Sequence, residues 1–94
     1  TYDARIIGAQ LLRSGTSVGA NYRAVCRART KKEFVAKLRI VLEEADESQF
    51  WLEILSETQI VKPAKLVAIL QESSELVVIF TSSINTTARN RPER

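Results

Sequence analysis

The stretch Thr30-Lys31-Lys32-Glu33-Phe34-Val35-Ala36-Lys37-Leu38-Arg39-Ile40-Val41-Leu42-Glu43-Glu44-Ala45-Asp46-Glu47-Ser48-Gln49-Phe50-Trp51-Leu52-Glu53-Ile54-Leu55-Ser56 opens on a helix start signal and keeps a helical rhythm to its end. Thr30 and Glu33 form a capping box: the hydroxyl takes an orphan amide and the carboxylate reaches back. Phe34, Leu38, Val41, Leu42, Ala45, Leu52 and Leu55 then recur at spacings of three and four. At about 1.5 Å per residue, a helix over 31–56 is a rod of roughly 40 Å. Such a rod is long for a chain of 94 residues and points to an elongated helical architecture.

Upstream, residues 3–27 carry Ile7, Leu11, Val18, Tyr22 and Val25 on one helical face, with Ser14 and Asn21 on the same stripe. Gly8, Gly15 and Gly19 lie in this segment. Each costs a helix about 1 kcal/mol relative to alanine, so retaining them calls for a neighbouring backbone close by; a break or kink at Ser14 to Ser17 is the alternative. Downstream, Ile60 to Pro63 makes a connection, and Pro63 suits a first helical turn. A third helix over 64–86 shows Leu66, Ile69, Leu70, Ser73, Leu76, Val77, Phe80 and Ile84 as its stripe; residues 87–94 read as a frayed basic tail. There is no strand alternation and no hairpin dipeptide. Short loops make neighbouring helices antiparallel. The expectation is an all-α, antiparallel up-down bundle forming one domain over 1–94. Three helices make a thin core, to be completed by a missing helix, by other subunits, or by both. The chain starts at Thr1 and has no methionine, so it is expected to be trimmed at its start.

Composition narrows the function. Apolar residues make up 45% and charged residues 27%, a globular balance. Apolar runs are short, so no transmembrane span is expected. The one cysteine rules out an intrachain disulfide, and the absence of histidine removes the commonest general base and zinc ligand. The net charge of +3 is unevenly spread: residues 1–39 carry nine basic residues against two acidic, 40–75 two against eight, and 76–94 three against one. A segregated charge of this kind either grips phosphates or an acidic partner, or pairs with itself inside the fold or across an oligomer.

The individual motifs sort as follows. Gly15-Thr16-Ser17-Val18-Gly19 matches the nucleophile elbow of the α/β-hydrolases, but that motif needs a preceding strand and a histidine, and neither is here. Glu43, Glu44, Asp46, Glu47 and Glu53 lack the histidines of di-iron bundles; oxygen-ligand cations remain compatible with them, and a solvated or salt-bridged face is the preferred reading. No metal or cofactor is expected. Glu43 and Glu47 repel at i, i+4 unless a cation is near, which makes Glu43, Glu44 and Glu47 candidates for structural ion pairs with first-helix arginines. Such a pair, partly buried, would be costly to break on one side. Cys26 has no base partner and reads as a structural thiol. Asn85-Thr86-Thr87 is a glycosylation sequon with nothing to support its use. Phe50, Trp51 and Leu52 cannot all face one core, so Phe50 or Trp51 is expected at a subunit interface. Arg23, Arg27, Arg29, Lys31 and Lys32 cluster at the turn between the first two helices, with Arg13 upstream. These six are the candidate nucleic-acid-binding residues. Apart from Tyr22 no aromatic interleaves with them, which leaves base stacking unsupported.

The block Gln10-Leu11-Leu12-Arg13-Ser14-Gly15-Thr16-Ser17-Val18-Gly19-Ala20-Asn21-Tyr22-Arg23 resembles the signature of the bacterial four-helix-bundle proteins related to the 23S rRNA intervening-sequence protein. Glu33-Phe34, Leu42 to Ser48 and Phe50 to Glu53 resemble the family's second block, and Glu75-Leu76, Ile79-Phe80 and Ser83-Ile84 its last helix. Ala24 departs from the pattern, standing where many members carry a glutamate. The resemblance implies an antiparallel four-helix bundle with a further helix ahead of Gln10, closed into a ring-shaped homo-oligomer, commonly a pentamer. It also implies kinship with the accessory protein of diversity-generating retroelements, which binds nucleic acid and partners a reverse transcriptase. Together these readings lead to a bacterial, cytoplasmic, non-enzymatic homo-oligomer with no membrane association, holding RNA or DNA on a basic surface. The alternative is a protein–protein scaffold whose basic turn meets an acidic partner.

Overall fold

Thr30 adopts extended backbone, φ −134° and ψ 162°, and its hydroxyl accepts the Glu33 amide at 3.0 Å. The Glu33 carboxylate reaches back one residue further than the simplest capping box, to the Arg29 amide at 2.8 Å. This doubly held start launches the central of three helices. The computed structural model describes residues 1–89, which form α1 (Tyr2–Val25), α2 (Lys31–Glu57) and α3 (Pro63–Arg89) with no strand among them.

α1 runs unbroken through Ser14 to Ser17. Its small polar side chains bond back along their own helix instead of breaking it: Thr16 Oγ1 donates to the Leu12 carbonyl at 2.8 Å, and Asn21 Nδ2 to that of Ser17 at 2.8 Å. The helix stops two residues before Arg27. There the Arg27 and Ala28 amides turn onto the Ala24 and Val25 carbonyls, at 3.1 and 3.0 Å, tightening the last turn. α3 runs three residues past Thr86, so Thr87 to Arg89 are helical and not tail; residues 90–94 of the expected tail lie outside the described residues. No glycine or proline falls between Ala64 and Arg89 to stop the helix, and Arg89 in its last turn complements the negative end of the dipole.

Two apolar clusters hold the helices. At the α1–α2 turn end, Val25 meets Leu38, Val41 and Ala45 of α2 and Phe80 and Ile84 of α3; at the other end, Ile7 and Leu11 meet Leu52 and Leu55 of α2 and Leu66 of α3. Early α2 thus packs on late α1 and late α3, and late α2 on early α1 and early α3, so consecutive helices run antiparallel. The backbones of α1 and α3 do not approach each other, and α2 is common to both packings. The result is a slab of 54 × 20 × 13 Å. Between α1 and α3 an apolar groove of about 440 Å³ stays open, walled by Leu12, Gly15, Ile69 and Leu76 over a floor of Ala45 and Leu52.

This groove corrects the reading of the glycines. A Cβ added at Gly8, Gly15 or Gly19 would meet nothing within 4 Å, so among the described residues no backbone supplies the close neighbour they call for. α3 also departs from the expectation that no span could cross a membrane: an 18-residue window within Pro63–Arg89 has a mean hydropathy of 1.3, enough by length and composition. Glu72 and Glu75 stand in the middle of that helix, and an acidic side chain at the centre of a bilayer costs about 3 kcal/mol. Its inner residues Leu66, Phe80 and Ile84 are packed on α2.

The α2–α3 connection holds the one non-glycine residue with positive φ among the described residues, Gln59 at 58°. It follows the α2 C-cap, Thr58, and donates its amide to the Ser56 carbonyl at 3.1 Å. Glycine is the residue such a cap favours. Replacing Gln59 by Gly should therefore raise stability by about 0.5–1 kcal/mol, after allowing for the looser unfolded chain. A higher midpoint in urea at unchanged slope is the expected result; a lower one would show that Gln59 is not strained.

Candidate nucleic-acid interface

The turn Cys26 to Thr30 sits where α1 ends and α2 begins, so helix ends of opposite partial charge meet there and the side chains set the sign. Arg23, Arg27, Arg29 and Lys32 are exposed, and none of them makes an ion pair among the described residues. Lys31 is half-buried and engaged in an interaction of its own. The Glu33 carboxylate is turned to the Arg29 backbone amide.

Arg13 stands apart from this group. It lies about 18 Å along the helix axis from Val25, and two carboxylates surround its guanidinium: Nη1 donates to Glu44 Oε1 at 3.3 Å and Nη2 to Glu47 Oε2. Its Nε donates to Gln10 Oε1 at 3.2 Å. The local charge of this triad is negative, which sets Arg13 apart from the cations at the turn. The Glu47 carboxylate also accepts the Trp51 indole N–H at 3.0 Å. That indole bond first, and then Arg13, hold Glu47 below the usual carboxylate range, while Glu47 in turn holds Arg13 above its ordinary value. Glu43 is exposed and makes no ion pair among the described residues.

The exposures decide how much this network contributes. The side chains of Arg13, Glu44 and Glu47 are 48%, 23% and 35% accessible, so water and salt screen the pairs. Losing one partner inside a single chain is therefore a modest change, smaller than a buried pair would give. Its pH dependence has a definite sign. A carboxylate with a depressed folded-state value adds stability above its unfolded value, near 4.3, and that stability fades as pH falls toward the folded value. The melting temperature of the Glu47→Gln variant should fall less than that of the unchanged protein between about pH 5 and pH 3. Parallel curves for the two proteins would show that Glu47 does not carry this dependence.

Behind Arg13 the two helices touch through a hydroxyl pair. Ser14 is fully buried at 0% exposure, and Ser48 Oγ lies 2.9 Å from Ser14 Oγ. Close by, the side chain of Trp51 is half-buried and that of Phe50 points outward at 49% exposure, the rings meeting edge to face with centroids 5.0 Å apart.

The structure supplies aromatics that the sequence around the turn does not show. Tyr22 lies against Phe80 of α3, centroids 6.2 Å apart and planes tilted by 37°. Phe34, from the first turns of α2, lines the same pocket of about 150 Å³, together with Cys26, Leu38 and Ser83. Phe34 sits on the legible stripe of α2; Phe80 arrives from 58 residues downstream of Tyr22 and only packing brings it there. Among the described residues, no three side chains of metal-ligating type converge.

Residues 3–82 match the sequence family described as 23S rRNA-intervening sequence protein. A similar fold occurs in the crystal structure of a protein with unknown function from the S23 ribosomal protein family of Bacteroides thetaiotaomicron. It is 38% identical with a TM-score of 0.79, over 84% of this chain and 73% of that one. No curated protein matches.

Proposed function

Because the chain belongs to the 23S rRNA-intervening sequence protein family, we propose that it is a non-enzymatic helical protein that associates with copies of itself and holds nucleic acid on the turn between α1 and α2. The observation that carries this reading is the contrast between the arginines. Arg13 is occupied by Glu44 and Glu47, whereas Arg23, Arg27, Arg29 and Lys32 present charge to solvent from one end of the molecule with no ion pair among the described residues. Cations in that state exchange condensed counterions for phosphates, and the released ions drive binding without any reading of sequence.

Assembly supports the same role. The groove between α1 and α3 is walled by Leu12, Ile69 and Leu76, which are 68%, 48% and 44% exposed, and Phe50 turns its ring outward; apolar side chains left open together in this way suit a contact with another helix or subunit. Closing the groove with a further helix gives a four-helix bundle, and a ring of such bundles, a pentamer in this reading, sets several basic turns side by side. Phosphate contacts then add up along one strand, which turns weak single sites into useful affinity. Retardation of both RNA and DNA in a mobility shift, competed away by heparin but not by an acidic protein of similar charge density, is the expected result. Competition by the acidic protein alone, with no shift on either nucleic acid, would replace this reading with the protein-scaffold one.

A further inference from the structure

We propose that the strand held at the turn is single-stranded and that one unpaired base seats at the mouth of the pocket lined by Tyr22, Phe34 and Phe80, against the exposed ring of Tyr22. The proposal rests on the phosphate-binding reading above and adds what kind of nucleic acid is held, and how. Three aromatic rings from three different helices, Tyr22, Phe34 and Phe80, converge on this pocket. Tyr22 is 46% exposed, so one ring is offered to solvent, while Phe80 at 8% gives a fixed wall behind it. The two rings are already in contact, with centroids 6.2 Å apart and planes tilted by 37°, so the face left for a base is the exposed one of Tyr22. A volume of about 150 Å³ is enough for a benzene-sized ring. Rings of this kind bind bases through their faces, with little regard to which base is present.

Position makes the occupant a nucleotide and not merely an apolar group. Arg23 follows Tyr22 in the chain and Arg27 follows Cys26; both are exposed and neither makes an ion pair among the described residues, so the positive charge of the turn lies one residue along the chain from two lining side chains. Ser83 adds a hydroxyl to the lining. A base in a duplex is stacked and paired, and reaching the pocket would cost its extrusion. The pocket therefore favours strands whose bases are already unpaired.

Cys26 lines the pocket and its thiol is exposed, which makes it a built-in reporter. In the assembled protein, a maleimide should label Cys26 quickly. A single-stranded RNA or DNA oligonucleotide should slow that labelling; the same strand made wholly of abasic nucleotides should bind more weakly and leave labelling fast. Tyr22→Leu should lower single-strand affinity about tenfold, the effect of losing one stacked base, and leave duplex affinity and salt dependence as they were. Tyr22→Phe, which keeps the ring, should bind like the unchanged protein. Slow labelling of the unliganded protein would overturn the proposal, because the pocket would then be closed already. So would equal protection by the base-bearing and abasic strands, or a Tyr22→Leu variant with undiminished single-strand affinity; in those cases salt-sensitive binding leaves the phosphate reading standing. Absence of binding to every strand at low salt overturns both. If Tyr22→Leu does not fold, the labelling of the unaltered protein decides alone.

Discussion

Replacing Arg27 and Lys32 together by glutamate is expected to lower affinity for RNA or DNA about a hundredfold at low salt, while helix content and assembly stay as they are. Both side chains are exposed and neither makes an ion pair among the described residues, so the fold loses no contact. Surface changes of that kind usually stay within about 0.5 kcal/mol in stability. Binding responds differently. Each reversal deletes a phosphate contact and places an anion where the strand must pass. Removing two contacts should also flatten the salt dependence by about two units of slope, counting about one per contact. The control is Arg13, whose charge is already matched by Glu44 and Glu47. Arg13→Gln should leave nucleic-acid affinity within about threefold, since it presents little uncompensated charge to a phosphate. A double reversal that falls apart on size exclusion, or an Arg13→Gln that binds a hundredfold worse, would show that the division between turn and network is drawn in the wrong place.

Leu38→Ala carries the largest expected effect on stability. Leu38 is 2% exposed and belongs to the cluster that joins Val25 of α1 to Phe80 and Ile84 of α3. Truncating such a leucine costs about 2–5 kcal/mol, from lost burial and from the cavity left behind. For a chain of this size the melting temperature should fall by more than about 10 °C. The slab has little to offset the loss, because its described core is divided between two small clusters. Val78→Ala on the outer side of α3, where the residue is 62% exposed, should by contrast leave the melting temperature nearly unchanged. Leu38 also forms part of the lining beneath Tyr22 and Phe34. Its truncation should therefore loosen the pocket and speed the labelling of Cys26. Equal melting temperatures for Leu38→Ala and Val78→Ala would contradict the packing described here.

What the sequence makes legible here is local. The capping box at Thr30 and the three-and-four rhythm after it depend on residues within one turn of each other, and α2 begins where they say. The stop at Val25 is less legible, because amide choices at Arg27 and Ala28 settle it and no glycine or proline marks it. The end of α3 lies later than the polar, basic composition of residues 87–94 suggests, because nothing in Thr87 to Arg89 forbids another turn. The charged turn could be found from composition alone, since its cations are close in sequence. Its aromatic lining could not, because Phe80 reaches Tyr22 through two helix packings. The glycines of α1 illustrate a third case. Their spacing points to a close neighbour, but among the described residues there is none, and spacing alone does not say where such a neighbour would come from.

The central claim is that the turn between α1 and α2 binds nucleic acid through phosphates. Its most direct test is the association constant of the protein for a single-stranded RNA and the matching DNA, followed by filter binding as salt is raised. The account predicts a straight fall of log K against log salt, with a slope steeper than about −2 for the unchanged protein, as several neutralised phosphates require. It also predicts a clearly shallower slope for the Arg27→Glu, Lys32→Glu variant. Binding that ignores salt, or no binding at the lowest ionic strength, would contradict it.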